Sequence, residues 1–172
     1  SSIAMQLDQQ SLFAVKLRAW LNEPANSQAL KEAIALLGAD SRNKANSALA
    51  ALQSFDGKLA SRSQSAAIYG AFLHSAAYRI FGDELGPRDS DLWHAFLAAN
   101  AVSYGAIDDH PLQRSDESPF WDDCRTAQKE SKANILALAL AESRQLLEDQ
   151  VGQDRSKWQW GELHTCRWRV EG

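Results

Sequence analysis

The chain has 172 residues, 45% hydrophobic and 23% charged, with a net charge of −4 at pH 7. These values are typical of a single globular domain that is long enough to bury a core. No basic stripe marks a nucleic-acid-binding surface, and the longest unbroken apolar run, Ile135–Ala141, has seven residues, too few to span a membrane.

Hydrophobic periodicity predicts three helices in the first third of the chain. The first runs from Ile3 to about Leu21, and it ends before Pro24 because the residue preceding a proline avoids the helical conformation. Gly38 is expected to end the second, and the turn signal Asp56-Gly57 follows the third. The candidate N-caps of the second and third helices are Asn26, Ser27, Asp40, Ser41 and Asn43.

Three more helices are predicted further along the chain. The fourth, Ser63 to Phe81, is rich in Ala and Gly, which let a neighbouring helix approach closely, so we expect it to be central. The fifth runs from about Asp89 to Gly105. The sixth begins at an N-cap, Thr126, and reaches about Val151, where Gly152 stops it.

The segments between and after these helices are unusual. Residues 107–125 form a long loop that either packs by its own aromatic residues, Phe120 and Trp121, or covers another surface. Residues 163–170 alternate as a strand would, and an isolated strand is only marginally stable. We therefore expect an all-α irregular orthogonal bundle of about six helices (1–157) with an extended tail (158–172), cut from a longer protein.

Several side chains invite a chemical role, and each has a simpler structural reading. Asp108-Asp109-His110 reads as a solvated loop, since three adjacent residues cannot converge on one centre. The acidic residues at 122–123 are explained by helix capping. His74 and His94 are expected to be partly buried and hydrogen-bonded. We assign no catalytic, cofactor-binding or metal-binding residue to this chain.

Two further features leave alternatives open. Ser1 could be an N-terminal nucleophile whose own amine acts as the base, but a first-position serine alone does not establish that role. Cys124 and Cys166 form no zinc-type pair and are expected to be free, partly buried thiols. A single disulfide between them is the alternative if the chain is periplasmic.

Four landmarks in order make the chain resemble the β chain of the penicillin amidase family. The landmarks are Met5–Ala14, Phe55-Asp56-Gly57 with Ser65–Tyr69 and Phe72, Trp121-Asp122-Asp123 with Thr126 and Glu130, and Trp158–Gly161 with His164. The resemblance implies N-terminal nucleophile hydrolases that cleave amide bonds of N-acyl compounds such as penicillins and acyl-homoserine lactones. It also implies a periplasmic or secreted location.

The resemblance places the reactive groups of the family outside this chain. The family's nucleophile is a Ser followed by Asn, whereas Ser1 here is followed by Ser2. The landmark at Met5 lies far downstream of that nucleophile, so the catalytic role is not carried onto Ser1. The family's oxyanion asparagine, active-site arginine and calcium ligands also lie upstream. Calcium is therefore expected only in the parent enzyme, and this chain needs no cofactor.

We expect this chain to be a structural helical piece of an acylase. Its partners would be the remainder of the acylase α and β chains, and the parent's substrate would be a small N-acyl compound. The alternative is a stand-alone helical interaction module that binds partners through its tail and the exposed residues around Trp160 and Trp168. In the acylase reading, Trp158–His164 is a hinge between helices and sheet, in which Gly161 allows the turn.

Overall fold

The computed structural model describes residues 2–100 and 114–163, and for residues 2–9 and 100 it describes the backbone only. Seven α-helices and no strand occur in these two ranges, which confirms the all-α prediction. The helices are Ser2–Asn22 (α1), Pro24–Ala35 (α2), Ala39–Gln53 (α3), Gln64–Leu85 (α4), Asp91–Asn100 (α5), Lys132–Val151 (α6) and Trp160–Leu163 (α7). Two 3-10 turns occur at Pro119–Trp121 and Arg155–Lys157.

The centre of the bundle is the pair α4 and α6. Helix α6 packs against α4, α3 and α2, and α4 also contacts α3, α5 and α7. Ala66 and Ala67 on α4 and Ala137 and Ala139 on α6 are at most 1% exposed, so the two backbones lie close together. Leu140 on α6 is fully buried in the same core, and each such leucine contributes about 1.5–3 kcal/mol to stability. The prediction of a central fourth helix agrees with this packing.

The second and third helices begin earlier than their candidate caps. Helix α2 begins at Pro24 after the N-cap Glu23, whose side chain accepts no hydrogen bond. Helix α3 begins at Ala39 after the N-cap Gly38, which has no side chain to act as a cap. Proline at the first helical position has its φ angle preset and no N–H to satisfy, so α2 starts without a polar cap. The prediction of caps at Asn26 and Ser27 was wrong for this reason.

The sixth helix begins later than predicted. Its N-cap is Ser131, whose side chain accepts a hydrogen bond from the Asn134 N–H, while the Asn134 side chain accepts one from the Ser131 N–H. This reciprocal capping box satisfies two backbone donors at once. Thr126 instead bonds within the preceding loop, to the Gln128 carbonyl and the Glu130 carboxylate.

The described part of the long loop packs by its own aromatic residues. Trp121 is 1% exposed in the main core, and its indole N–H donates to the Ser115 carbonyl at 2.9 Å. Phe120 remains 37% exposed, with the Arg114 guanidinium 3.8 Å from its ring centroid. Trp121 therefore fixes the loop to the bundle.

The predicted extended tail begins with a helical turn, α7, and its remaining residues, including the alternating pattern at 163–170 beyond Leu163, lie outside the described residues. Within the described ranges, none of the helices is both long enough and apolar enough to cross a membrane.

Candidate functional site

The Trp158–Leu163 motif is anchored to the bundle by its first indole. Trp158 is 1% exposed, and its Nε1 donates to the Gly152 carbonyl at 2.8 Å, closing the turn after α6. The Arg144 guanidinium lies 4.5 Å from the Trp158 ring centroid. A buried indole with a satisfied N–H and a cation over its face is a packing anchor.

Gly161 allows a close backbone approach. Its N–H donates to the Ser61 carbonyl at 2.7 Å, and a Cβ on Gly161 would lie 2.9 Å from the Ser61 Cβ. The glycines with positive φ are Gly57, Gly86 and Gly152, so Gly161 is not required for an unusual backbone angle. The motif thus ties the end of the chain to the turn before α4 through close contact. His164 lies outside the described residues.

A small cleft of about 120 Å³ lies beside Trp158, where α3, the start of α4, α6 and the Arg155–Lys157 turn meet. Its walls carry two arginines, three hydroxyl or amide side chains and three apolar side chains. The lining residues are Ser47, Ala51, Gln64, Ser65, Ile68, Arg144, Arg155 and Trp158.

Two guanidinium groups converge on one hydroxyl in this cleft. Arg144 Nη1 donates to Ser47 Oγ at 2.6 Å, and Arg155 Nη2 donates to the same oxygen at 3.1 Å. Arg144 is 7% exposed, and burial together with the nearby Arg155 charge lowers its pKa, while Glu148, 3.1 Å from Arg144 Nη2, opposes the shift. No pattern in the sequence predicts the contact between Arg144 and Ser47, because the two residues are 97 positions apart.

The acidic residues before α6 organise the loop and do not cap the helix. Asp123 is buried and accepts from Arg125 Nε at 2.8 Å and Nη2 at 2.7 Å, which lowers the pKa of its carboxyl. Asp122 accepts from the Glu130 N–H at 3.3 Å. Because α6 begins only at Lys132, the prediction that these carboxylates cap it was wrong.

The two described histidines differ in environment. His74 on α4 is half-buried, edge-on to Trp93 with 6.1 Å between ring centroids, and burial and the Arg88 charge lower its pKa. His94 on α5 is exposed, contrary to the prediction of partial burial, because Trp93 is the residue of that turn that faces the core. They lie on separate helices, α4 and α5.

Cys124 is a free, exposed thiol, so the prediction of partial burial was wrong for it. Its backbone N–H donates to the Asp83 carboxylate at 3.0 Å, and the same carboxylate raises the pKa of the thiol, which disfavours the reactive thiolate. Ser1, Cys166 and Asp108-Asp109-His110 lie outside the described residues. Across the part of the chain that the structure describes, no group of three or more His, Cys, Asp or Glu side chains could hold a metal ion.

Comparison with known proteins shows a family match over nearly the whole chain. The penicillin amidase family model matches residues 1–171. The chain is 49% identical over 171 residues to an acyl-homoserine lactone acylase QuiP of Pseudomonas aeruginosa, covering 99% of this chain and 20% of that relative. The chain is also 49% identical to an acyl-homoserine lactone acylase QuiP of Pseudomonas fluorescens, over 98% of this chain and 21% of that relative. It is 46% identical to the acylase of the same name of Pseudomonas putida, over 98% of this chain and 20% of that relative. The chain thus spans about one fifth of the length of these curated relatives. No solved structure matches it.

Proposed function

Because this chain belongs to the penicillin amidase family, we propose that it is a helical part of an acylase that hydrolyses the amide bond of N-acyl-homoserine lactones. The observation that carries this proposal is the 49% identity to an acyl-homoserine lactone acylase over 99% of the chain. The bond cleaved joins the acyl carbonyl to the amine of the lactone ring, so the products are a free carboxylic acid and homoserine lactone.

The role proposed for this chain within the enzyme is structural. The nucleophile is an N-terminal serine in the rest of the acylase, which takes the acyl group from the amide and passes it to water. The support from this chain is its packing: charged side chains such as Asp123 with Arg125, and Glu142 with Arg79, are paired with one another. Any calcium site would likewise belong to the rest of the enzyme, which by resemblance is periplasmic or secreted.

The proposed partners are the remaining parts of the acylase α and β chains. Leu12 and Val15, about one turn apart on α1, are 58% and 38% exposed, and Leu36 at the end of α2 is 81% exposed. Apolar side chains that lie together on one helix face are suited to burial against another surface. We place the covering surface in the remainder of the acylase.

The test of the reaction uses the full-length polypeptide that contains this chain. Incubation with an N-acyl-homoserine lactone, followed by mass spectrometry, should show homoserine lactone and the free acid in equal amounts. Opening of the lactone ring with the amide intact would contradict the proposal, as would the absence of any amide cleavage.

The test of the structural role separates folding from chemistry. In the full-length protein, Ile135→Val should lower the melting temperature, since it removes a buried methyl group worth about 0.5–1.5 kcal/mol. The rate per folded molecule should not change. Turnover by the present chain alone, abolished by Ser1→Ala, would show instead that the chain carries its own nucleophile.

A further inference from the structure

We propose that the cleft formed by Ser47, Arg144, Arg155 and the start of α4 is a binding site for one small oxyanion of the phosphate or carboxylate type. The proposal goes beyond the acylase reaction and does not depend on it. Charge, hydrogen-bond donors and cleft size support it separately.

The charge around the cleft is not balanced by the protein. Arg144 pairs with Glu148 at 3.1 Å, but Glu148 also pairs with Lys44 at 3.1 Å. Arg155 has no carboxylate within 4 Å among the described residues, and its only bond to a side chain there is the one to neutral Ser47. With Asp40 paired to Lys44 at 2.8 Å, three cations face two carboxylates. An anion in the cleft would compensate the remaining charge, and it would relieve the repulsion between the two guanidinium groups.

The cleft also has more hydrogen-bond donors than acceptors. A guanidinium group carries five N–H donors and no acceptor. Arg144 Nη1 and Nη2 are used by Ser47 and Glu148, while its Nε is buried without an acceptor in the described part of the chain. Arg155 uses only Nη2, at Ser47. Planar forks of this kind bind carboxylates and phosphates by paired, charge-assisted hydrogen bonds.

The N-terminus of α4 adds a second electrostatic contribution that favours an anion in the cleft. Gln64 and Ser65 line the cleft and are the first two residues of this 22-residue helix. Backbone N–H groups in a first helical turn have no acceptor within the helix, and the helix dipole places partial positive charge there. Of these groups in α4, the Ala66 N–H already donates to the Ser63 hydroxyl at 3.1 Å. The two arginines and the helix start therefore favour a negative ligand at one place.

The size of the cleft limits the ligand. A volume of about 120 Å³ admits a phosphate or a short carboxylic acid, and it is too small for a nucleotide or a long acyl chain. Ala51, Ile68 and Trp158 form an apolar wall on which a short carbon chain could rest. Such a ligand would link α3, α4 and α6, and it would raise stability by mass action.

Binding is measured by equilibrium dialysis of the full-length protein against radiolabelled inorganic phosphate at constant ionic strength. Arg155→Gln removes a charge from the cleft. Lys157→Gln is its matched control, since Lys157 is an exposed cation on the same 3-10 turn that does not line the cleft. We expect the wild type and Lys157→Gln to retain one molecule of phosphate that Arg155→Gln binds roughly tenfold more weakly or worse.

A second variant tests the same cleft independently, in case Arg155→Gln does not fold. Gln64 is exposed at the start of α4, so Gln64→Glu should fold normally while placing a negative charge at the cleft. It should also weaken phosphate binding at least tenfold, a loss set by like-charge repulsion. Equal phosphate binding by all four proteins would overturn the proposal. Equal loss in Arg155→Gln and Lys157→Gln would also overturn it, because it would indicate a general charge effect.

Discussion

The hydroxyl of Tyr69 donates a hydrogen bond to the backbone carbonyl oxygen of Gln10 at 3.1 Å, across 59 positions of sequence. Tyr69 is fully buried on α4, and its ring packs between Phe13, at 6.4 Å between ring centroids, and Phe55, at 5.5 Å. One side chain thus joins α1, the end of α3 and α4. The phenol hydroxyl can be buried there because its donor is satisfied.

Tyr69→Phe should destabilise the chain by about 0.5–1.5 kcal/mol. The ring remains packed and only the hydroxyl is lost, while the Gln10 carbonyl keeps the hydrogen bond expected within α1. Urea unfolding followed by circular dichroism measures the difference. Tyr69→Leu, which also removes the aromatic packing, should cost clearly more. Equal losses for the two variants would show that the ring packing contributes nothing, and unchanged stability in Tyr69→Phe would show that the hydroxyl contributes nothing.

Leu140→Ala should destabilise the chain by about 2–5 kcal/mol, because it leaves a cavity in the main core, where Leu140 is fully buried. The matched control is Leu36→Ala, the same change at a position that is 81% exposed, which should alter stability by no more than about 0.5 kcal/mol. Chemical denaturation of both variants gives the comparison. A large loss in Leu36→Ala, with none in Leu140→Ala, would place the core elsewhere.

Gly161→Ala should destabilise the chain by about 1–3 kcal/mol, since its Cβ would lie 2.9 Å from the Ser61 Cβ and 3.2 Å from the Ser61 carbonyl oxygen. Gly38→Ala is the control: Gly38 has a φ of −58° and nothing within 4 Å of an added Cβ. The lower preference for Ala at an N-cap and the lower entropy of the unfolded chain act in opposite directions, so a change of no more than about 0.5 kcal/mol is expected. Thermal melts distinguish them. Unchanged stability in Gly161→Ala would mean that the contact with Ser61 is not close in solution.

Glu84 should make stability depend on pH. Desolvation and the hydrogen bond shared with Asp83 raise the pKa of Glu84 from 4.5 to about 7. The native state therefore binds more protons than the unfolded state between these pH values, so this group's contribution to the free energy of unfolding falls as the pH rises from about 4.5 to 7. Glu84→Gln cannot titrate at this position. The melting temperature of this variant, relative to that of the wild type, should therefore be a few degrees higher at pH 8 than at pH 4.5.

Glu117→Gln is the control for Glu84→Gln, because it removes the same charge from an exposed loop residue. Its melting temperature should follow that of the wild type across the pH range. His74 contributes to the pH dependence with the opposite sign. The pKa of His74 is lowered from 6.5 in the native state, so its contribution to the free energy of unfolding is lost as the pH falls from 6.5 toward that lowered value. Parallel melting curves for wild type and Glu84→Gln would show that Glu84 and Asp83 do not share a proton.

The sequence alone determined the helical class, both ends of α1, the C-terminal end of α6 and the family. Apolar spacing located α1 to within a residue at each end, and Gly152, with positive φ, ends α6 because glycine adopts that conformation without strain. The predicted end of α4 at Phe81 was four residues short of Leu85, after which Gly86, also with positive φ, ends the helix. These are local effects, read from neighbouring residues. Helix starts were harder to predict, since Pro24 and Ser131 compete with other plausible caps nearby and the geometry of the incoming chain decides between them.

Only the tertiary structure decided which side chains meet. The convergence of Arg144 and Arg155 on Ser47, the bond from Tyr69 to Gln10 and the contact of Gly161 with Ser61 all join residues far apart in sequence. No periodicity or spacing encodes such contacts, because they depend on how α3, α4 and α6 pack. The sequence identified Trp158–Gly161 as a landmark, and the packing of the helices showed that it closes a cleft.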